Sequence, residues 1–213
     1  SDPNLTAYAL LALAQASDAG FLVNRTQLEN AQNFLLPSLS AITEFTEPAE
    51  RDRQMQLTYV MIRSGRTDFA LDSFYTLRAS LSPWAQAMLA LSLDTVSPGS
   101  EQARVLVSDL QAAANRSATG ASWTAGESSG LNWSTPNFST AVVVTALARL
   151  DPASALLTDA VRFLVLHRRA NACWNSSYET AWVLNALVEA VQATGDVQAS
   201  FSYEAELHGA LLA

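Results

Sequence analysis

Five stretches of the chain are uncharged, rich in Ala and Leu, and opened by small or polar residues. They are Leu5 to Ala14, Leu57 to Ile62, Trp84 to Leu93, Ser139 to Ala148 and Thr180 to Val188. A helix lying on a protein surface keeps a charged face, so a helix apolar nearly all round must be covered on both sides. The segments between them carry charge along one stripe. The pattern predicts inner helices that alternate with outer ones.

Start and stop signals divide the chain into nine such helices. Asp2-Pro3 opens the first, which Asp18-Ala19-Gly20 stops. Thr26, with Glu29 three residues on, is placed to cap the second, and Pro37 is expected to end or kink it. The third runs from Pro48 to Ser64-Gly65 and the fourth from Thr67 to Ala79. Ser82-Pro83 opens the fifth, and Ser97-Pro98 introduces a sixth that reaches about Asn115. Helices resume at Ser139, Pro152 and Ser177, the last ending near Gly195. Between the sixth and seventh, Thr119 to Asn137 holds Gly, Trp and hydroxyl residues and reads as a hairpin or ordered loop. Its expected turn lies at Gly126 to Gly130, with Trp123 and Trp133 on the two arms. Ser200 to Leu207 alternates polar and apolar, as a strand does.

The uncharged helices are the first, third, fifth, seventh and ninth. Their starts lie 52, 27, 55 and 41 residues apart, whereas helical solenoids keep a fixed period of roughly 34 to 47 residues. Irregular spacing with strict alternation points to an all-α fold of the α/α-toroid, terpenoid cyclase-like kind. A full ring commonly takes six hairpins, so this one reads as incomplete, with apolar surface left on its first or last helix. The expected division is a toroid over 1–196 and, over 197–213, a strand-like tail or the start of a following β domain.

Composition narrows the function. A chain of 213 residues can bury roughly 70% of its unfolded surface in one domain. A net charge of −8 excludes the basic face that nucleic acid demands. All twelve cationic side chains are Arg. The apolar runs are shorter than the ~20 residues of a membrane span. The chain begins in mid-pattern without a leader, which suggests a piece of a longer polypeptide. Six N-x-S/T sequons occur, at Asn4, Asn24, Asn115, Asn132, Asn137 and Asn175, a number that the Ser, Thr and Asn content accounts for.

Candidate chemistry is sparse. Cys173, near Arg168 and Arg169, would be reactive only with a depressed pKa, and reads as a small buried or half-buried residue instead. His167, Cys173 and His208 lack zinc spacing. Glu179, Glu127 and Asp94 are the acids that an α/α-toroid glycosidase or lyase would set across a sugar about 5 to 9.5 Å apart, although Glu179 is more simply a first-turn acid on a helix dipole. Trp123, Trp133, Trp174 and Trp182 read as core before ligand platform. Arg51 and Arg53 read as solvated. No residue is assigned a catalytic, cofactor-binding or metal-binding role, and no cofactor is expected.

Several segments resemble a known family. Ser1 to Ala14 (SDPNLTAYALLALA), Gln54 to Gly65 (QMQLTYVMIRSG) and Trp174 to Trp182 (WNSSYETAW) are similar to inner helices of the thioester-containing, complement-like domain of bacterial α2-macroglobulins. The resemblance implies a protease-trapping parent protein outside the cytoplasm, in the periplasm or at the cell surface. Its partners would be the neighbouring domains and, through the whole protein, target proteases. The family's Cys-Gly-Glu-Gln segment is missing here, since Cys173 is followed by Trp174, Asn175 and Ser176. What the resemblance leaves is a scaffold without thioester chemistry or enzymatic activity. A carbohydrate-active toroid enzyme and a free-standing helical adaptor are the alternatives.

Overall fold

In the computed structural model, the described residues are 2–126, 134–170 and 172–195, with the backbone of two further strands, Ala205–Leu207 and Ala210–Leu212. Nine α-helices lie among them: α1 (Pro3–Asp18), α2 (Arg25–Leu35), α3 (Pro48–Arg63), α4 (Asp72–Thr76), α5 (Pro83–Val96), α6 (Glu101–Ala112), α7 (Pro136–Leu150), α8 (Ala155–Leu166) and α9 (Ser177–Thr194). The fold is all-α with one small antiparallel hairpin, β1 (Asn115–Ser117) and β2 (Gly120–Ser122), between α6 and α7. Strands β3 (Ala205–Leu207) and β4 (Ala210–Leu212) also pair antiparallel. That places part of the expected C-terminal strand in a sheet, while 200–204 lie outside the described residues.

The odd-numbered helices form one layer. α1 packs on α3, α3 on α5, α5 on α7 and α7 on α9. Their N-terminal ends sit together, because residues of their first turns touch. Asp52 meets Ser82 between α3 and α5, Trp84 meets Phe138 between α5 and α7, and Thr135 meets Glu179 between α7 and α9. Tyr8 against Tyr178 brings α1 beside α9. The inner helices therefore run parallel. Outer helices α2, α6 and α8 return along them, joined by short connections and packed on α1, α5 and α7.

Burial follows this layering. Twelve consecutive residues of α7, Asn137 to Ala148, are buried, and α5 is buried from Trp84 to Leu93 except at Gln86. The two flanking inner helices depart from the expectation of cover on both sides. On α1 only Ala7, Leu10, Leu11 and Ala14 are buried. On α9, Leu184, Val188 and Val191 remain 51%, 54% and 40% exposed. The uncharged stretches of these two helices, Leu5 to Ala14 and Thr180 to Val188, include an apolar face that continues beyond the packed one.

Several boundaries move, each for a local reason. Asn24, not Thr26, caps α2, its carboxamide oxygen accepting from the backbone N–H groups of Thr26 and Gln27. α4 is only a helical turn, followed by a 3-10 turn at Arg78–Ser80. α6 starts after Ser100, α7 after Thr135 and α8 after Ser154, so Pro98 and Pro152 lie in the preceding turns and Pro136 takes the first helical position. The hairpin lies upstream of the expected one, with residues 118 and 119 at its tip. Trp123 directly follows it, while Trp133 and the expected turn from 127 onward lie outside the described residues.

Gly120 locks this hairpin against α8. Its φ is +122°, and a Cβ there would lie 2.2 Å from the Asp159 carbonyl oxygen. Gly99, at φ +74°, has open space around it. Gly120→Ala is expected to cost more than about 2 kcal/mol, since strain and a backbone clash combine. Gly99→Ala should cost about 1 kcal/mol, from conformation alone. Urea unfolding of the two variants measures the difference, and equal losses would contradict this packing.

Candidate functional site

The N-terminal end of the inner layer holds the densest buried polar chemistry, and it is built from first-turn residues. Ser176 caps α9, accepting from the Glu179 backbone N–H at 3.1 Å. The Ser-x-x-Glu spacing is that of a capping box, but Glu179 turns elsewhere. Its carboxylate accepts from Thr135 Oγ1 at 2.6 Å, Asn137 Nδ2 at 2.8 Å and Asn175 Nδ2 at 2.9 Å, with the Asn175 backbone N–H at 3.3 Å. The side chain is 1% exposed and no cation is among these partners. Burial alone would raise its pKa, yet the donors from Thr135, Asn137 and Asn175 outweigh it and hold the carboxyl below its ordinary value. Glu179 is thus a buried carboxylate that ties the starts of α7 and α9 to their preceding connections.

Asp52 does the equivalent work between α3 and α5. It is 3% exposed, and Oδ1 accepts from the Ser82 backbone N–H, the N-cap of α5, at 2.9 Å. Arg51 bonds through Nη1 to Ser80 Oγ, and Arg53 pairs with Glu50 at 2.8 Å. The expectation of solvated Arg51 and Arg53 is corrected here. Both lie inside α3; Arg51 is buried and the Arg53 side chain is 14% exposed. Their charges read as surface in one dimension because the layer of side chains that covers them comes from elsewhere in the chain.

Beneath these acids lies an aromatic cluster. Phe138 meets Trp84, Tyr178 and Trp182 at centroid distances of 5.4, 5.5 and 5.3 Å. Burial pushes the Tyr178 phenol well above its ordinary pKa despite a 2.9 Å bond from Gln56 Nε2. Tyr178 also meets Tyr8 of α1 at a centroid distance of 5.1 Å, and Trp182 with Ala181 and Asn185 faces Tyr8, Leu11 and Gln15 across a small groove of about 70 Å³.

The indoles serve the scaffold in a repeated manner. Trp123 donates through Nε1 to the Leu110 carbonyl in the last turn of α6, and its backbone N–H bonds Thr140 Oγ1 in α7. Trp174 repeats this one hairpin later, to Leu164 in α8 and Thr180 in α9. Each joins the end of an outer helix to the start of the next inner one. Trp84, not singled out by sequence, donates to the Ala125 carbonyl.

The remaining candidates do not converge. Cys173 is exposed rather than buried or half-buried, and nearby Arg169 bonds Asn175 Oδ1 at 2.5 Å. His167 closes α8, with Nδ1 2.8 Å from the Phe163 carbonyl and its ring stacked on Phe163. Asp94 accepts from the Gly99 backbone N–H at the far end of α5, about 16 Å along the helix from Pro83. Glu127, Trp133 and His208 lie outside the described residues. Among the described residues, no group of three His, Cys, Asp or Glu is gathered for a metal, and no helix is long and apolar enough to cross a membrane.

A parallel inner layer of helices, tied at one end and wrapped by returning outer helices, is an architecture shared with part of bacterial α2-macroglobulin. The native α2-macroglobulin of E. coli matches with a TM-score of 0.60 and 17% identity over 92% of this chain. Salmonella α2-macroglobulin reacted with methylamine matches with a TM-score of 0.58 and 17% identity over 94%. An E. coli structure spanning domain MG7 to the C-terminus matches over 88%, at 15% identity and a TM-score of 0.58. The chain spans only 12% of the first two proteins and 29% of the third. At these identities the likeness is one of fold. No family model matches the chain, and no curated protein matches it by sequence.

Glu179 supplies a pH test of the end-tie. Because its folded pKa is lowered, its stabilisation is fully present above the unfolded value, ~4.3, and is lost as pH falls through the folded one. Glu179→Gln should cost about 2 kcal/mol at pH 7, since an amide cannot accept from all three donors. It should also flatten the fall of stability below about pH 4.5. Denaturant unfolding between pH 3 and 7 measures both, and parallel curves for the two proteins would refute the ionised-anchor assignment.

Proposed function

We propose that this chain is a scaffold segment of a bacterial α2-macroglobulin-like protease inhibitor: a thioester-type α/α-toroid domain that carries no thioester chemistry of its own. The observation that carries the reading is the fold match over 92% and 94% of the chain to bacterial α2-macroglobulins. The absence of Cys-Gly-Glu-Gln from the 213 residues supports the scaffold role. The parent would act outside the cytoplasm, trapping proteases through the rearrangement of its domains, and this segment would act without turnover.

The face of α9 supports a place among other protein elements. Among the other inner helices, α1, α5 and α7 each carry the outer helix that follows them. α9 instead presents Leu184, Val188 and Val191 at helical spacing. A segment of the parent polypeptide would cover them. The enzyme alternative draws nothing from Glu179, whose oxygens are committed to Thr135, Asn137 and Asn175.

In the parent polypeptide, Leu184→Ser with Val188→Ser should lower stability by about 3 kcal/mol, from two apolar side chains buried there. The isolated chain, where both are half-exposed, should lose much less. Equal losses in the two settings would mean that this face stays uncovered. The inhibitor reading itself is tested by asking whether the parent blocks cleavage of a large protein substrate while this segment alone does not. A parent gene without macroglobulin-type β domains around this segment would sink it.

A further inference from the structure

Buried polar atoms without a hydrogen-bond partner gather at one end of the inner layer. Among the described residues they include Arg51 Nε and Arg53 Nε in α3, Ser82 Oγ at the cap of α5, and Ser134 Oγ and Ser139 Oγ around the start of α7. Buried groups of this kind are rare in folded proteins, and each calls for a reason. The hydroxyls can both donate and accept, but the guanidinium nitrogens only donate. What the two arginines lack is an acceptor.

Arg51 is the extreme case. It is 9% exposed, and its guanidinium makes one hydrogen bond, from Nη1 to Ser80 Oγ. Its neighbours show what is missing. Arg53 has Glu50 at 2.8 Å, and Asp52 is turned to the Ser82 backbone N–H. No carboxylate pairs with Arg51 among the described residues. A buried charge without a counter-charge is among the most costly features a fold can hold. A lysine or a histidine could give up its proton in such a place, whereas a guanidinium does not. A counter-charge that arrives from outside the chain accounts for its retention.

The guanidinium is closed on one side and open on the other. Nε is sealed, but Nη2, which also carries no bond, is not. Ser80, in the exposed turn ahead of α5, steadies the group, since its Oγ accepts from Nη1 and donates to the Leu77 carbonyl at 2.6 Å. That hydroxyl has no second proton for a ligand, so the ligand is read by the arginine itself. Guanidinium groups match carboxylates and phosphates. Glu50 and Asp52 flank Arg51 in the chain, and Glu179 stands at the same end of the layer. Their repulsion weighs twice as heavily on a dianion, which favours a singly charged carboxylate over phosphate.

We infer that Arg51 is a receptor for a carboxylate from outside this chain, bound through Nη2 beside Ser80. The carboxylate belongs to a small acid or to an Asp or Glu side chain of another polypeptide, and the chemistry at Arg51 is the same for both. The inference does not rest on the inhibitor reading.

The probes are sodium acetate and the capped peptide N-acetyl-Gly-Asp-Gly-amide, each exchanged for sodium chloride at constant ionic strength with the 213-residue chain. The Arg51 Nε–H resonance, assigned by its loss in Arg51→Lys, should shift saturably with both. About 100 mM acetate should raise the melting temperature by about 3 °C. Arg51→Met removes the unpaired charge and keeps the volume, so in chloride it should melt about 3 °C above wild type and ignore acetate. Binding of the peptide at least about tenfold tighter than acetate assigns the carboxylate to a polypeptide, and a smaller ratio assigns it to a small acid. Arg51→Met melting no higher than wild type in chloride would mean that the chain supplies its own counter-charge, and would overturn the inference. So would equal acetate responses in the two proteins, an Nε–H resonance that neither probe moves, or phosphate binding as tight as acetate.

Discussion

Parallel alignment of the inner helices is the constraint that the rest of the structure answers. Setting the N-terminal ends of α3, α5, α7 and α9 side by side groups the positive ends of their dipoles and leaves many first-turn N–H groups without helical partners. Asp52 and Glu179 bring negative charge to this end, Asp52 reaching from α3 to the start of α5 and Glu179 from α9 to the start of α7. The outer helices oppose the inner dipoles by running back along them. Their own last carbonyls are met by the indoles of Trp123 and Trp174. One geometric choice thus explains a buried Glu179 held by neutral donors and tryptophans that bond instead of merely filling space.

The layered architecture was legible in the chain because burial from two sides removes charge from a helix altogether, and that signal is local. α5 and α7 meet it fully. The same signal over-reads α1 and α9, since composition cannot distinguish a face that is packed from one that is apolar and open. Helix starts slipped where two capping residues competed, as Asn24 and Thr26 did. The hairpin was displaced because Asn115 to Ser122 has neither strand alternation nor a strong turn pair, and its position depends on Gly120 fitting against Asp159 in α8.

The end-tie was less legible than the fold. Glu179 stood out as a first-turn acid, but its donors Thr135 and Asn137 lie 44 and 42 residues away. The misreading of Arg51 and Arg53 has the same origin. In a linear reading charge means solvent, and only the assembled layer shows that Ser80 and Glu50 receive them. The Trp–Thr pairs were half visible: the indoles read correctly as core, while their polar ends were hidden by the separation of Trp123 from Leu110 and Thr140.

The manner in which Glu179 is held also restricts the paths by which such a sequence can diverge. Three neutral side chains share one buried charge, so exchanging any donor strands part of an anion, and exchanging the anion strands three donors. Neutral drift through single replacements is closed at these four positions, whereas the apolar wall around them can be repacked stepwise. Four polar residues would then change together or not at all, in a chain whose helices are otherwise free to exchange one hydrophobic side chain for another.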